Sequence, residues 1–382
     1  MNFITRFQSL NREQRALVLV SASLFLPMEL TSLVLVLYVL YALFKRDLGS
    51  MIRLQPGAFF LYTFVGLELV VSLFYKNYIG AVNALGIGLV ALYIAQYRQL
   101  VTKDVFLFCL DLMLILSLFS AVFGLIEFNA YSNMAGYSFF DFHVQNKPSR
   151  RVHVFFMNAN LYAMMIEFFI VSCLYRWVQV SSLSQKTYYV FVGLINLLML
   201  YLTGCRTAFA PLGIVIPLFF ILYGNKKYIL IASSLFILAI SLVFLMPNLI
   251  PRLSDLSTLN SRFKIWNGAM QAFMMYPFFG NGPQTYGHLY SIYHWHKAPH
   301  AHNIYIDSLA SYGLVGTGLV LGYGWFVCRD IWCMRHQKDL FALMISFVVI
   351  FLVHGFFDCT LNVLCCSLFF FMVLNAGKTV ES

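Results

Sequence analysis

The chain has 382 residues, 61% apolar and only 10% charged, with a formal net charge of +10 and a mean hydropathy of +0.78. A soluble domain carries roughly 45–50% apolar and about 25% charged residues, so composition excludes a soluble fold and predicts an all-α polytopic membrane protein. The positive charge then reports topology, because cytoplasmic loops retain Lys and Arg, and no nucleic-acid partner is expected.

The basic segment from Met1 to Arg15 precedes an apolar run, as a secretion signal does. No small-residue cleavage site follows, so a retained first segment is expected. A bilayer core takes about 20 apolar residues per helix. The block from Ala16 to Phe44 is long for one span and short for two, and Pro27 and Glu29 within "FLPMELTS" predict a turn between two short helices. Further spans are expected near 57–75, 79–97, 105–128, 160–177, 187–204, 207–223, 228–246, 302–327, 340–357 and 359–376. That makes about 12 transmembrane helices in one integral membrane domain, 1–382, with both termini cytoplasmic. A single first helix would leave Arg6, Arg12 and Arg15 outside; the split leaves every short inner loop basic, with Lys378 in the inner tail, as the positive-inside rule requires.

Two long outer segments remain, 129–158 and 247–301, the second between spans nine and ten. Arg150, Arg151, Arg206, Arg252, Arg262 and every histidine except His336 fall on that side. The cysteines form no C-x-x-C pair, so neither a disulfide framework nor zinc is indicated.

Within the long outer segment, Phe263, Trp266, Met270 and Phe273 mark one face of an amphipathic helix over 261–276. Asn260 or Ser261 can cap its start, and Pro277 and Gly280 end it. Such a helix lies in the interface plane, in contact with membrane lipid. Arg262 in its first turn either completes an anion seat at the helix N-terminus or snorkels to headgroups. Arg206, in "LTGCRTAFAP", joins two apolar runs with almost no loop, where a charge is costly and functional or paired. His354 and Asp358, four apart, share a helix face if the helix continues; they make either an oriented base or a satisfied polar pair. His300 and His302 are two apart, a poor metal pair on a helix though possible in an extended loop, and no H-E-x-x-H is present. One of them is a candidate base; the alternative is a polar lid over a helix end. Glu68, Asp111 and Glu167 lie within apolar runs, which would suit an ion path, but no inverted repeat accompanies them.

"SRFKIWNGAMQAFMMYPFFGNGP" followed by "HAHNIYIDSLASYGLVG" resembles the signature region of the O-antigen ligase and polymerase superfamily. The matching positions are Ser261, Arg262, Trp266, Pro277, Gly280, Gly282, His302, Asn303, Tyr305, Gly313, Leu314 and Gly316. Upstream, Arg151, Phe156, Asn158, Asn160 and Ala163 resemble a second element of that family, and "TGCRTAF" with Arg206 a third. The departure is Ser311 or Tyr312 where an acidic residue often precedes the glycine.

The resemblance implies a GT-C-like membrane glycosyltransferase of the bacterial plasma membrane, inverting and without metal or cofactor, its site facing outward. Its donor would be an undecaprenyl diphosphate-linked glycan. Its acceptor would be a second lipid-linked repeat unit (a polymerase, favoured here) or lipid A core (a ligase). Carried over by position, Arg206 and Arg262 hold the diphosphate and His302 is the base. His300 and Asn303 position the base or touch the acceptor, with Arg151, Asn160, His354 and Asp358 as further contacts. The competing readings are a transporter or flippase of the same lipid-linked glycan, using Glu68 and Glu167, and a non-catalytic membrane subunit.

Overall fold

The computed structural model describes residues 3–45, 52–53, 55–139, 141–246 and 257–377. Arg252, Lys378 and the start of the long outer segment lie outside them. The described chain is helical throughout: α1 (Phe3–Ser9), α2 (Arg12–Ser23), α3 (Met28–Lys45), α4 (Ala58–Phe74), α5 (Tyr78–Leu100), α6 (Lys103–Ala135), α7 (Ala159–Gln179), α8 (Leu183–Leu202), α9 (Phe209–Tyr223), α10 (Lys226–Leu245), α11 (Ser257–Met275), α12 (Thr285–Leu289), α13 (Ile304–Cys333), α14 (Lys338–His354) and α15 (Leu364–Leu374). Each apolar run predicted from sequence coincides with one of these helices. The first block does divide, at Leu24–Pro27, into α2 and α3. Among the described residues, seven helices are long and apolar enough to cross a membrane. Two further apolar helices, α4 and α15, are shorter.

α7 is the centre of the bundle. Its run Leu161–Cys173 is buried on every side, as expected of a helix apolar all round. Phe168 stacks on Phe347 of α14 with ring centroids 4.3 Å apart. A second, smaller core under the outer segment joins Ile265, Ala269 and Ala272 of α11 to Tyr286, Leu289, Ala298, Ala301 and Ala310. Apart from Ile265, the hydrophobic residues α11 buries are alanines. Phe263, Met270 and Met274 stay outward, 60%, 37% and 72% exposed, the side an interfacial helix would give to lipid.

α13 was expected as one continuous helix, but it breaks at Gly313, where φ is 59° and ψ is −166°. A break inside a membrane helix must satisfy the backbone groups it frees, and the turn after α11 does so. The N–H groups of Leu314 and Val315 donate to the carbonyls of Pro277 and Phe278 at 2.8 and 2.9 Å. The freed Ser311 carbonyl accepts the N–H groups of Asn281 and Gly282 at 3.2 and 3.0 Å. Gly280 is what lets the two strands of backbone meet: φ is +65°, and a Cβ there would sit 2.0 Å from the Ser311 carbonyl oxygen.

Ionic contacts gather at the opposite end of the bundle from this turn. Asp111 takes Arg6 at 3.0 Å, Arg176 at 2.7 Å and the Tyr189 hydroxyl at 3.0 Å. Arg98 bonds Asp330 at 2.9 Å and Asn375 at 2.6 Å. Asp111, an expected candidate for an ion path, is thus a structural anchor for α1, α6, α7 and α8.

Gly280→Ala is expected to cost about 2 kcal/mol or more, from the left-handed backbone and the clash together. Gly318→Ala, on the same helix as Gly313 with nothing within 4 Å of its Cβ, should be neutral or stabilising. Thermal unfolding of the two variants in one detergent checks the contrast.

Candidate functional site

The polar residues at the other end converge on Asp358, in the turn between α14 and α15. Its side chain is 6% exposed, and burial of a charge is tolerated only with partners. His302 Nδ1–H donates to Oδ1 at 3.0 Å and the Cys359 amide donates to the same oxygen at 2.9 Å. The Asn160 amide donates to Oδ2 at 2.5 Å, and His300 Nε2 lies 3.6 Å from Oδ1. Burial pushes the Asp358 carboxyl up, but the His302 hydrogen bond, the two imidazoles and Asn160 outweigh it and hold it well below the usual carboxylate range.

Tautomers follow from the network. With Nδ1–H committed to Asp358, the neutral His302 ring carries its lone pair on Nε2. That atom has no partner among the described residues, and the side chain is 27% exposed. His300 accepts the His302 amide on Nδ1 at 3.2 Å, which turns its Nε2–H toward Asp358. Burial lowers His300 below its ordinary value, opposed by Asp358 and reinforced by His302. His302 adopts φ 49°, a left-handed backbone that His tolerates better than most residues.

The loop is held on three sides. Asn303 caps α13, accepting the amides of Tyr305 and Ile306 at 3.0 and 3.1 Å, and donates to the Phe356 carbonyl at 3.2 Å. At 6% exposure it positions the loop. Asp307 accepts the Ala301 amide at 2.8 Å. The Ile304 amide donates to the Gly355 carbonyl at 2.8 Å.

From Asp358 the bonding runs on to the arginines. Asn160, whose amide N–H groups serve Asp358, accepts Arg151 Nη2 on Oδ1 at 2.6 Å. Arg151 Nε donates to the Thr203 carbonyl at 2.7 Å, three residues before Arg206 in the tight turn between α8 and α9. Arg262 stacks its guanidinium 5.8 Å from the Phe357 ring centroid, one residue before Asp358. His302, Arg262, Arg151, His300, Asn303, Asn160 and Asp358 therefore belong to one neighbourhood, and Arg206 lies three residues along the chain from the Thr203 carbonyl that Arg151 bonds.

Two sequence readings need correction. His354 and Asp358 do not pair along one helix, because α14 ends at His354 and Gly355 caps it. His354 Nδ1 instead bonds Glu167 at 3.0 Å, both side chains 0% exposed, so His354 supports the Asp358 turn from below. The predicted caps of α11, Asn260 and Ser261, lie inside the helix, which begins at or before Ser257. Arg262 is in the second turn, so the anion seat at that helix N-terminus is withdrawn, and any anion binding rests on the guanidinium itself. Asp307 was missed, although an acid in the first turn of a helix opened by Asn is a legible signal.

His300, His302 and Asp358 offer one ligand atom each within 4.8 Å of one another, close enough to hold a metal ion. Asp358 already accepts three hydrogen bonds on its two oxygens, one of them from His302, so a metal bound through Asp358 would displace part of that network. The bonds present are those of an imidazole–carboxylate pair, while the three groups are also the number of protein ligands a catalytic metal site uses.

The geometry predicts the Nδ1–H tautomer for neutral His302, and its loss in Asp358→Asn. Imidazole ¹⁵N shifts of labelled protein read this directly; an Nε2–H ring in the wild type would contradict it.

Residues 191–321 match a family model described as O-antigen ligase. That stretch includes Arg206, Arg262, the glycine turn, His300, His302 and Asn303, while Arg151, Asn160, His354 and Asp358 lie outside it. No curated protein matches the chain.

Proposed function

We propose, from the O-antigen ligase domain at residues 191–321 that sets this chain in the O-antigen ligase and polymerase superfamily, that it is a polysaccharide polymerase of the bacterial plasma membrane. It would extend a glycan by joining lipid-linked repeat units. Such a family and several membrane-length helices point to a multi-pass bacterial membrane enzyme acting on lipid-linked glycans. The observation carrying the finer reading is the bonded series Thr203–Arg151–Asn160–Asp358–His302, which ties the Arg206 turn to an imidazole oriented by a buried carboxylate with its other nitrogen accessible.

The donor is read as an undecaprenyl diphosphate glycan. Attack by an acceptor hydroxyl on the anomeric carbon forms the new glycosidic bond as the carbon–oxygen bond to the diphosphate breaks, with inversion. The leaving diphosphate needs its charge neutralised as it develops. Arg206 and Arg262 supply this, since guanidinium binds phosphate bidentately and stays charged. His302 Nε2 takes the hydroxyl proton, and Asp358 stabilises the resulting imidazolium. Bond energy in the donor drives the step, so no nucleotide is consumed. Basic residues such as Arg12, Lys103, Lys186, Lys226 and Lys338 sit at the opposite end of the bundle, which supports an outward-facing site by the positive-inside rule.

A transporter would need a path through paired acids. Glu167 is instead engaged with His354, and Glu68 lies on α4 beside Gly316 of α13, so the two do not pair with each other.

Purified protein given undecaprenyl diphosphate-linked repeat units in EDTA should make a ladder of longer glycans. His302→Ala should lower the rate about 10²–10⁴-fold and Arg262→Ala about 10²–10³-fold. Transfer only on adding lipid A core would make it a ligase. Activity lost in EDTA and restored by a metal would overturn the metal-free reading. Substrate movement across liposomes without glycan synthesis would replace the enzyme reading with a transporter.

A further inference from the structure

An open cleft of about 490 Å³ lies beside the site, lined among others by Ile79 at the start of α5, Gln284, His288, Tyr290, Lys297 and Pro299. Its size suits a small organic ligand, since such pockets run about 300–1,000 Å³. The lining pairs apolar surface (Ile79, Pro299 and the Tyr290 ring) with an amide, an imidazole and an ammonium group. Among the described residues, the side chains of Gln284, His288, Tyr290 and Lys297 have no hydrogen-bond or ion-pair partner. Burial keeps His288 below its ordinary pKa, so it meets a ligand as a neutral group that can both donate and accept. Apolar faces edged with neutral and cationic donors are what a pyranose ring presents itself to, with its C–H face on one side and its hydroxyls around the rim.

The cleft is built rather than incidental. Gln284 holds φ at 63°, a left-handed conformation that costs of order 1–3 kcal/mol for such a residue and tends to persist at functional positions. The far wall is anchored, since the Tyr286 hydroxyl donates to the His296 carbonyl at 2.6 Å and Ala298 is buried in the small outer core. Gly287 is in direct contact with the opposite wall, because a Cβ there would lie 2.5 Å from the Pro299 carbonyl oxygen.

The chain leads from that wall to the candidate base. Pro299 and His302 are three residues apart, so their Cα atoms are separated by no more than about 11 Å. Arg262, by contrast, lies against Phe357, in the turn after α14. Donor diphosphate and this cleft therefore approach the His302 loop through different elements.

We propose that this cleft is the acceptor-glycan subsite, binding one or more sugar rings of the incoming repeat unit and presenting a hydroxyl to His302. This rests on the glycosyltransfer reading above. Lys297 further predicts a preference for repeat units bearing a carboxylate or phosphate.

The test is binding, separate from turnover. The probe is the free oligosaccharide released by mild acid from undecaprenyl diphosphate-linked repeat units, titrated against purified protein with Tyr and Trp fluorescence as the readout. Wild type and His302→Ala should bind it equally, although His302→Ala turns over about 10²–10⁴-fold more slowly. Lys297→Ala and Gln284→Ala should each weaken binding by about tenfold or more. Ile79→Trp, at a position 65% exposed where folding is not at stake, should block the cleft mouth and abolish binding. Wild-type affinity in all three cleft variants would overturn the proposal, as would absence of binding to wild type at saturating oligosaccharide. If oligosaccharide binds the cleft but His302→Ala makes glycan at the wild-type rate, the assigned base is wrong while the subsite stands.

Discussion

Asp358 is a carboxylate buried in a turn that supplies only the Cys359 amide to it. The charge has to be met from elsewhere, since leaving a buried ion uncompensated costs several kcal/mol. It is met by groups from three distant parts of the chain: His302 and His300 of the outer segment, Asn160 at the start of α7, and through Asn160 the Arg151 segment. The same bonds that neutralise Asp358 orient the His302 ring and leave Nε2 free. Folding cost and chemical readiness are thus one set of interactions.

The rest of the fold serves to hold that turn and that loop in register. The buried His354–Glu167 pair lies under the turn at the end of α14. The break in α13 lets the glycine turn after α11 dock into the bundle by four backbone hydrogen bonds. That docking carries α11, and Arg262 with it, to the vicinity of Phe357. Backbone at membrane depth can be irregular only where protein satisfies it, and here the break and the glycine turn satisfy each other. The small outer core then holds the segment from Tyr286 to Ala301, which leads into His302.

Much of this was legible in the sequence. Apolar run lengths placed the helices, Pro27 and Glu29 marked the division of the first block, and the polar residues were assigned to one end. What failed were inferences from local spacing. His354 and Asp358 are four apart and suggested a helical pair, but α14 stops at Gly355 and the true partner of Asp358 is 56 residues away. Asn260 and Ser261 are good capping residues that nonetheless lie within α11, because helix continues N-terminal to them. The interruption at Gly313 gave no periodic signal, since it exists only through hydrogen bonds to a turn more than thirty residues upstream. Periodicity reads helices; it does not read which distant group compensates a buried charge.

The pairing of His302 with Asp358 as one catalytic unit is the claim on which the account stands. The most direct measurement is a double-mutant cycle on kcat/KM for glycan extension, using His302→Ala, Asp358→Asn and both together. If the carboxylate acts through the imidazole, the double variant loses no more activity than His302→Ala alone, because residues working as a unit are non-additive. Multiplied losses would show that Asp358 acts independently of His302 and would contradict the account.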